Sequence, residues 1–177
     1  SERGRDMSIF KKHSVKAVLI LSSLALAACT DPGRLGGGAG GNGTGGFTPG
    51  TASDPTSPAY FNEVIGDRVL FEVDQSTLTD GGRVILQSQA RWLLVNADYA
   101  AVIEGHADEQ GTREYNLALG ARRSNAVREY LITQGVPGAR LRTLSYGKER
   151  PIEICSEEAC YSKNRRSVTI ISGSVSG

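Results

Sequence analysis

The sequence predicts a two-layer α/β (α+β) sandwich, with strands and helices in the order βαβαββ and the helices packed on one mixed sheet. Three observations carry this expectation. Beyond Tyr60, apolar residues alternate between a period of two and a period near 3.6. The run Gly135-Val136-Pro137-Gly138 breaks the second helical stretch. About 115 residues remain for this region, enough for one hydrophobic core. Alternation of this kind implies helices layered on a sheet.

The elements follow in order. Ala59 to Ile65 reads as a short helix, and Arg68 to Val73 alternates as a strand. Thr79 or Asp80 caps a helix from about Gly81 to Asn96, striped by Leu86, Ala90, Leu93, Leu94 and Ala97. Trp92 sits beside that stripe and reads as core or rim packing. Tyr99 to Gly105 reads as a buried strand. A second helix runs from about Glu114 to Gln134, and Arg140–Tyr146 and Arg166–Ser172 form the last two strands.

The first 28 of the 177 residues read as an export signal preceded by upstream residues, with Met7 as the start. Lys11, Lys12 and Lys16 precede an apolar run from Ala17 to Ala28. That run is shorter than the about 20 apolar residues a membrane span needs. It ends in Leu26-Ala27-Ala28-Cys29, which resembles a bacterial lipobox. Cys29 would then carry several acyl chains, and several chains anchor stably where one is marginal. The alternatives are an ordinary signal peptide with an incidental cysteine, or a short membrane anchor. By lipoprotein sorting rules, Thr30 after the cysteine implies the outer membrane, with the domain in the periplasm.

Residues 29–57 read as a flexible tether, rich in Gly, Thr, Ser and Pro and poor in apolar residues. Such a segment spans roughly 30 Å on average and about 100 Å when extended. Residues 58–177 form the expected domain. Of the 20 basic and 19 acidic residues, five and two precede Cys29, leaving 15 and 17 from there onward. That slight acidity argues against a nucleic-acid-binding module.

The stretch Glu104-Gly105-His106-Ala107-Asp108-Glu109-Gln110-Gly111 leaves a strand and enters a helix, where binding loops usually sit. On that helix Asn116, Leu119, Gly120, Arg123 and Val127 share one face. Arg123 therefore shares an apolar stripe, and its head is expected to snorkel toward the loop near Asp108. A carboxylate and a guanidinium so placed suit a zwitterion, with Asp108 taking an ammonium and Arg123 a carboxylate. The other reading is structural: Asp108 caps the helix and Arg123 pairs with it internally.

His106 beside Asp108 and Glu109 invites a metal or acid-base reading. The only other histidine, His13, lies in the leader, and no nucleophile has a partner base. The expectation is a protein without enzymatic activity, metal or cofactor, in which His106 makes a local hydrogen bond or lines the pocket. Cys155 and Cys160 bracket four residues. In an oxidising compartment a disulfide is the preferred reading, metal binding the weaker one. A bridge over so short a loop is worth only about 2 kcal/mol.

Asp108, Gly111, Asn116, Leu119, Arg123 and Val127 fall at the spacing of a known motif, and the chain resembles the OmpA-like peptidoglycan-binding family. Ser145-Tyr146-Gly147-Lys148-Glu149-Arg150-Pro151 and Tyr161-Ser162-Lys163-Asn164-Arg165-Arg166 extend the resemblance to its lipoprotein branch, over roughly Phe61 to Ile171. Ser124, where the family usually has Ala, and the Cys155–Cys160 segment depart from the pattern.

The resemblance implies non-covalent binding of peptidoglycan through the meso-diaminopimelate of its stem peptide. Asp108 and Arg123 would hold that zwitterion, and Asp74 would line the same pocket. Gly111 would permit the turn, Asn116 would order the loop or touch the peptide, and Arg165 and Arg166 would stand near the rim. It further implies a lipid anchor in the outer membrane, tethering of that membrane to the wall, and support of envelope integrity and cell division. A TolB-like periplasmic β-propeller protein is the implied partner. A cell-wall enzyme would need a carboxylate or zinc constellation that the sequence lacks. A flagellar stator-like protein would need a retained membrane helix, and a porin about eight membrane strands.

Overall fold

The computed structural model describes residues 48–173. Cys29, the leader and most of the expected tether lie outside the described residues. Within them the chain forms a helix α1, Pro58–Tyr60, continued by a wider turn over Phe61–Gly66, then strand β1, Arg68–Leu70. Helix α2, Asp80–Val95, leads to β2, Ala100–His106, and α3, Arg113–Thr133, leads to β3, Leu141–Gly147. A short helix α4, Glu158–Asn164, precedes β4, Arg166–Ser172.

The four strands make one mixed sheet in the order β1-β4-β2-β3. β4 runs antiparallel to both β1 and β2, whereas β2 and β3 are parallel. Parallel neighbours need a long crossover, and α3 supplies it, lying over β2 and β3. α2 covers β1 and meets the flank of α3. Between helices and sheet lies the core, with Phe61, Leu86, Leu93, Ile103, Val127 and Leu131 fully buried. Each such side chain contributes about 1.5–3 kcal/mol by leaving water.

The two-layer architecture expected from the sequence is present, and most boundaries fall within a residue or two. Thr79 caps α2, its side chain accepting the Gly82 N–H at 3.0 Å, and Thr112 caps α3 by accepting the Tyr115 N–H at 3.2 Å.

Three features differ from expectation. The first strand stops at Leu70 instead of Val73, because the chain turns away through Asp74, whose φ is +56°. The helix α4 was not foreseen, since its seven residues are too few for a periodic stripe. The expected tether also ends earlier than residue 57. Buried Ser57 donates to the Thr51 carbonyl at 2.6 Å, and the Pro55 carbonyl accepts Trp92 Nε1–H at 2.7 Å. Trp92 itself packs between Phe61 and Tyr99.

Gly105 on β2 and Gly120 on α3 set how closely the helix approaches the sheet. A Cβ at Gly105 would overlap the Gly120 carbonyl, and one at Gly120 would lie 2.8 Å from the Gly105 oxygen. Backbone therefore meets backbone at this crossing, which holds α3, two turns from its start, directly over the end of β2.

Candidate functional site

At that end the chain leaves β2 through Ala107 and Asp108 and re-enters regular structure at Arg113. Gly111 takes the left-handed conformation, φ +90°, that lets the loop reverse. Asn116, 1 % exposed on the first turn of α3, donates to the Gln110 carbonyl at 2.7 Å. Lys148 reaches over from the end of β3, donating to the Gly111 carbonyl at 2.7 Å and the Glu109 carbonyl at 3.3 Å. The loop is thus tied from both sides. Asp108 accepts the Gln110 N–H at 3.2 Å and an Arg165 N–H at 3.3 Å.

A cleft of about 240 Å³ opens beside this loop. Asp74, Asp108, Gly111 and Asn116 all line it, with Val73 and Leu119 as an apolar wall. Tyr115 closes one side, its hydroxyl donating to the Asp74 carboxylate. Asp74 and Asp108 come from loops far apart in sequence, so two carboxylates converge on one concave surface.

Arg123 is placed differently from its expected pose. The whole side chain is buried, at 0 % exposure, and it does not line the cleft. Its Nε donates to the Gln75 carbonyl at 2.8 Å, and its terminal nitrogens to His106 O at 2.8 Å and Glu72 O at 3.1 Å. The guanidinium also lies 5.2 Å from the Phe71 ring centroid. It pins the loop after β1 and the end of β2 to α3. Burial lowers its pKa to about 10, partly opposed by the charge of Asp108, so it stays a cation at neutral pH. Asp108 caps neither helix nor Arg123. Its ion-pair partner is Arg165, and Thr112 is the cap.

Arg165 and Arg166 are neighbours that serve opposite faces of the sheet. Arg165 bridges Asp108 and Glu158. Arg166 donates to the carbonyls of Asn164 and Arg150, at 3.3 and 3.1 Å. His106 lies on the Arg166 side, stacked on Tyr146 with ring centroids 5.6 Å apart and 3.5 Å from Glu104. Burial, reinforced by the positive charges of Arg166 and Arg150, pushes its pKa down to about 4. It does not line the cleft.

Cys155 and Cys160 are joined by a disulfide, with Cα atoms 6.0 Å apart. Among the described residues no group of three or more His, Cys, Asp or Glu side chains is arranged to hold a metal ion. None of their helices is long and apolar enough to cross a membrane.

Sequence reasoning missed Tyr115 and Glu158. Tyr115 stands four residues before Leu119, a spacing that put it at the edge of the recognised stripe. Glu158 had no signal, because α4 itself had none.

Comparison with known proteins agrees with the expected resemblance. The model of the OmpA family matches residues 70–165. The chain is 44 % identical over 169 residues to the peptidoglycan-associated lipoprotein of Rhizobium meliloti (strain 1021), covering 94 % of this chain and 92 % of that one. It is 47 % identical to the protein of the same name from Mesorhizobium japonicum, covering 88 % of this chain and 90 % of that one. Among solved structures, the peptidoglycan-associated lipoprotein from Burkholderia pseudomallei superposes with a TM-score of 0.61 at 36 % identity, covering 67 % of this chain and 97 % of that one. The C-terminal domain of Helicobacter pylori MotB superposes with a TM-score of 0.55 at 21 % identity, covering 62 % and 86 %, and shares the fold.

Proposed function

The chain belongs to the OmpA family, within its peptidoglycan-associated lipoproteins, and on that premise we propose that it binds peptidoglycan reversibly through the cleft beside Asp108. The observation that carries this is the convergence of Asp74 and Asp108 on one concave surface above a buried arginine. The stem-peptide residue meso-diaminopimelate ends in an ammonium and a carboxylate. Asp108 and Asp74 take the ammonium, since two carboxylates at one site favour a cation. Arg123 supplies the positive charge for the carboxylate. Three of its N–H groups hold carbonyls, and because the side chain is fully buried outside the cleft lining, it acts on the ligand through its charge and the loops it pins rather than by direct contact. Gly111 and Asn116 keep the loop in the binding shape. No bond is made or broken, so this is recognition without turnover.

Cys29 carries the lipid that fixes the chain in the outer membrane. The following glycine-rich segment lets the domain reach the wall from the periplasmic side. The similarity spanning 92 % of the Rhizobium meliloti lipoprotein supports this whole arrangement. It also supports a place in the Tol–Pal system, with a TolB-like β-propeller partner and a role in envelope integrity and cell division.

Sedimentation with insoluble peptidoglycan tests the site. The full-length chain in detergent is expected to co-sediment, and Asp108→Asn is expected to remain in the supernatant with an unchanged circular dichroism spectrum. Co-sedimentation of Asp108→Asn at the wild-type level would overturn the assignment.

A further inference from the structure

Asp108 does not meet the cleft as an isolated charge. Arg165, 4 % exposed, is anchored by its Nε donating to the Phe71 carbonyl at 3.2 Å. One terminal nitrogen is shared between Asp108 Oδ2 and Glu158 Oε2, 3.3 Å from each. The other donates to Glu158 Oε1. Glu158 therefore grips both ends of the guanidinium fork, and Asp108 receives one long, shared contact. Charge-assisted bonds of this type are usually about 2.7–2.9 Å. The hydrogen bond from Arg165 pulls the Glu158 pKa down, and the same bond raises that of Arg165.

Glu158 owes its place to α4. It is the first residue of that helix, and Cys160 lies in the same turn, its N–H donating to the Glu157 carbonyl at 3.0 Å. The bridge from Cys160 to Cys155 closes the segment that leads into the turn.

We propose that Glu158 is a positioning residue for the ligand ammonium: by gripping Arg165 it leaves the Asp108 carboxylate open to the cleft, and the Cys155–Cys160 bridge keeps it in that grip. The inference rests on the reading of the cleft as a diaminopimelate site. With Glu158 neutral or displaced, Arg165 is still pinned at Phe71 and closes its fork on Asp108. An incoming ammonium must then compete with a guanidinium already in place. Reduction reaches the same end. A dithiol gives two electrons and two protons to the Cys155–Cys160 bond, leaving two thiols and becoming a disulfide itself. The turn that carries Glu158 then loses its covalent brace.

Equilibrium dialysis of the full-length chain in detergent against a diaminopimelate-containing tripeptide tests this. Glu158→Gln is expected to lower affinity by about three- to tenfold with an unchanged melting midpoint. Glu158→Asp, which keeps the charge, is expected to recover most of the loss. Dithiothreitol is expected to weaken the wild type to a similar extent and to leave Glu158→Gln where it was. Wild-type affinity in Glu158→Gln overturns the proposal. So does an equal loss in Glu158→Asp, or a further loss when Glu158→Gln is reduced. If the oxidised wild type binds no tripeptide at all, the site reading fails and this inference with it. The other adverse outcomes sink the inference alone.

Discussion

Arg123 gives three N–H groups to backbone carbonyls of two separate segments, so its removal takes a buried donor from each, although the Glu72 carbonyl keeps the Gln75 N–H. One buried carbonyl without a donor costs about 1–3 kcal/mol, and breaking a buried charged network about 3–5 kcal/mol. Arg123→Ala is therefore expected to lose roughly 3–5 kcal/mol in urea unfolding, and its loss of binding would not report on the ligand alone. Asp74→Asn is the cleaner probe. Asp74 is exposed, and its stability is expected to stay within about 0.5 kcal/mol of wild type while wall binding falls.

His106 gives a pH dependence whose sign is fixed. Its folded pKa, about 4, lies below the ordinary 6.5, so the native state favours the neutral ring. The unfolded chain takes up the proton more readily between those values. Stability from this residue is complete above pH 6.5 and is lost as pH falls toward 4. The loss is about 3 kcal/mol at 1.36 kcal/mol per unit. Urea midpoints from pH 7 to pH 4 are expected to fall less steeply for His106→Gln than for wild type.

The crossing of α3 over β2 is the element-scale device that aims the site. Gly105→Ala forces a Cβ into the Gly120 carbonyl. The helix must lift, and overpacking of this kind costs about 1–3 kcal/mol. Because α3 also carries Asn116 and Arg123, the variant is expected to lose wall binding as well as melting temperature, measured side by side.

What was legible in the sequence follows the same lines. The long elements were readable because α2 and α3 have capped starts and striped faces, and β2 and β4 are runs of buried residues. α4 was not, being a single short piece held by a contact distant in sequence, that of buried Asn164 with Glu109, and by that of Glu158 with Arg165. Of the pocket set, Asp108 was readable from its place at a strand exit, whereas Asp74, Gly111 and Asn116 joined it only through the family resemblance, since β1 and α3 are far apart in sequence. The pose of Arg123 was missed for a physical reason. A snorkelling head needs open water, whereas here the carbonyls of Glu72, Gln75 and His106 surround it.

For the whole molecule, the proposed division is between a lipid anchor at Cys29, a reach supplied by glycine-rich chain, and a binding cleft beside Asp108. The domain that carries the cleft begins to fold before residue 58, because Ser57 and Pro55 are bonded into it. A chain starting at residue 58 is expected to melt below one starting at residue 48, since Trp92 Nε1 loses its acceptor and α1 its Ser57 cap. Each loss is worth about 1 kcal/mol. Differential scanning calorimetry of the two chains measures the difference.

The central claim concerns where the wall peptide sits. Backbone amide shifts recorded by nuclear magnetic resonance, while a diaminopimelate-containing tripeptide is added, locate it residue by residue. Saturable shifts at Asp74, Asp108, Gly111 and Asn116, absent in Asp108→Asn, are the expected result. Shifts confined to other surfaces, or unchanged in Asp108→Asn, would contradict it.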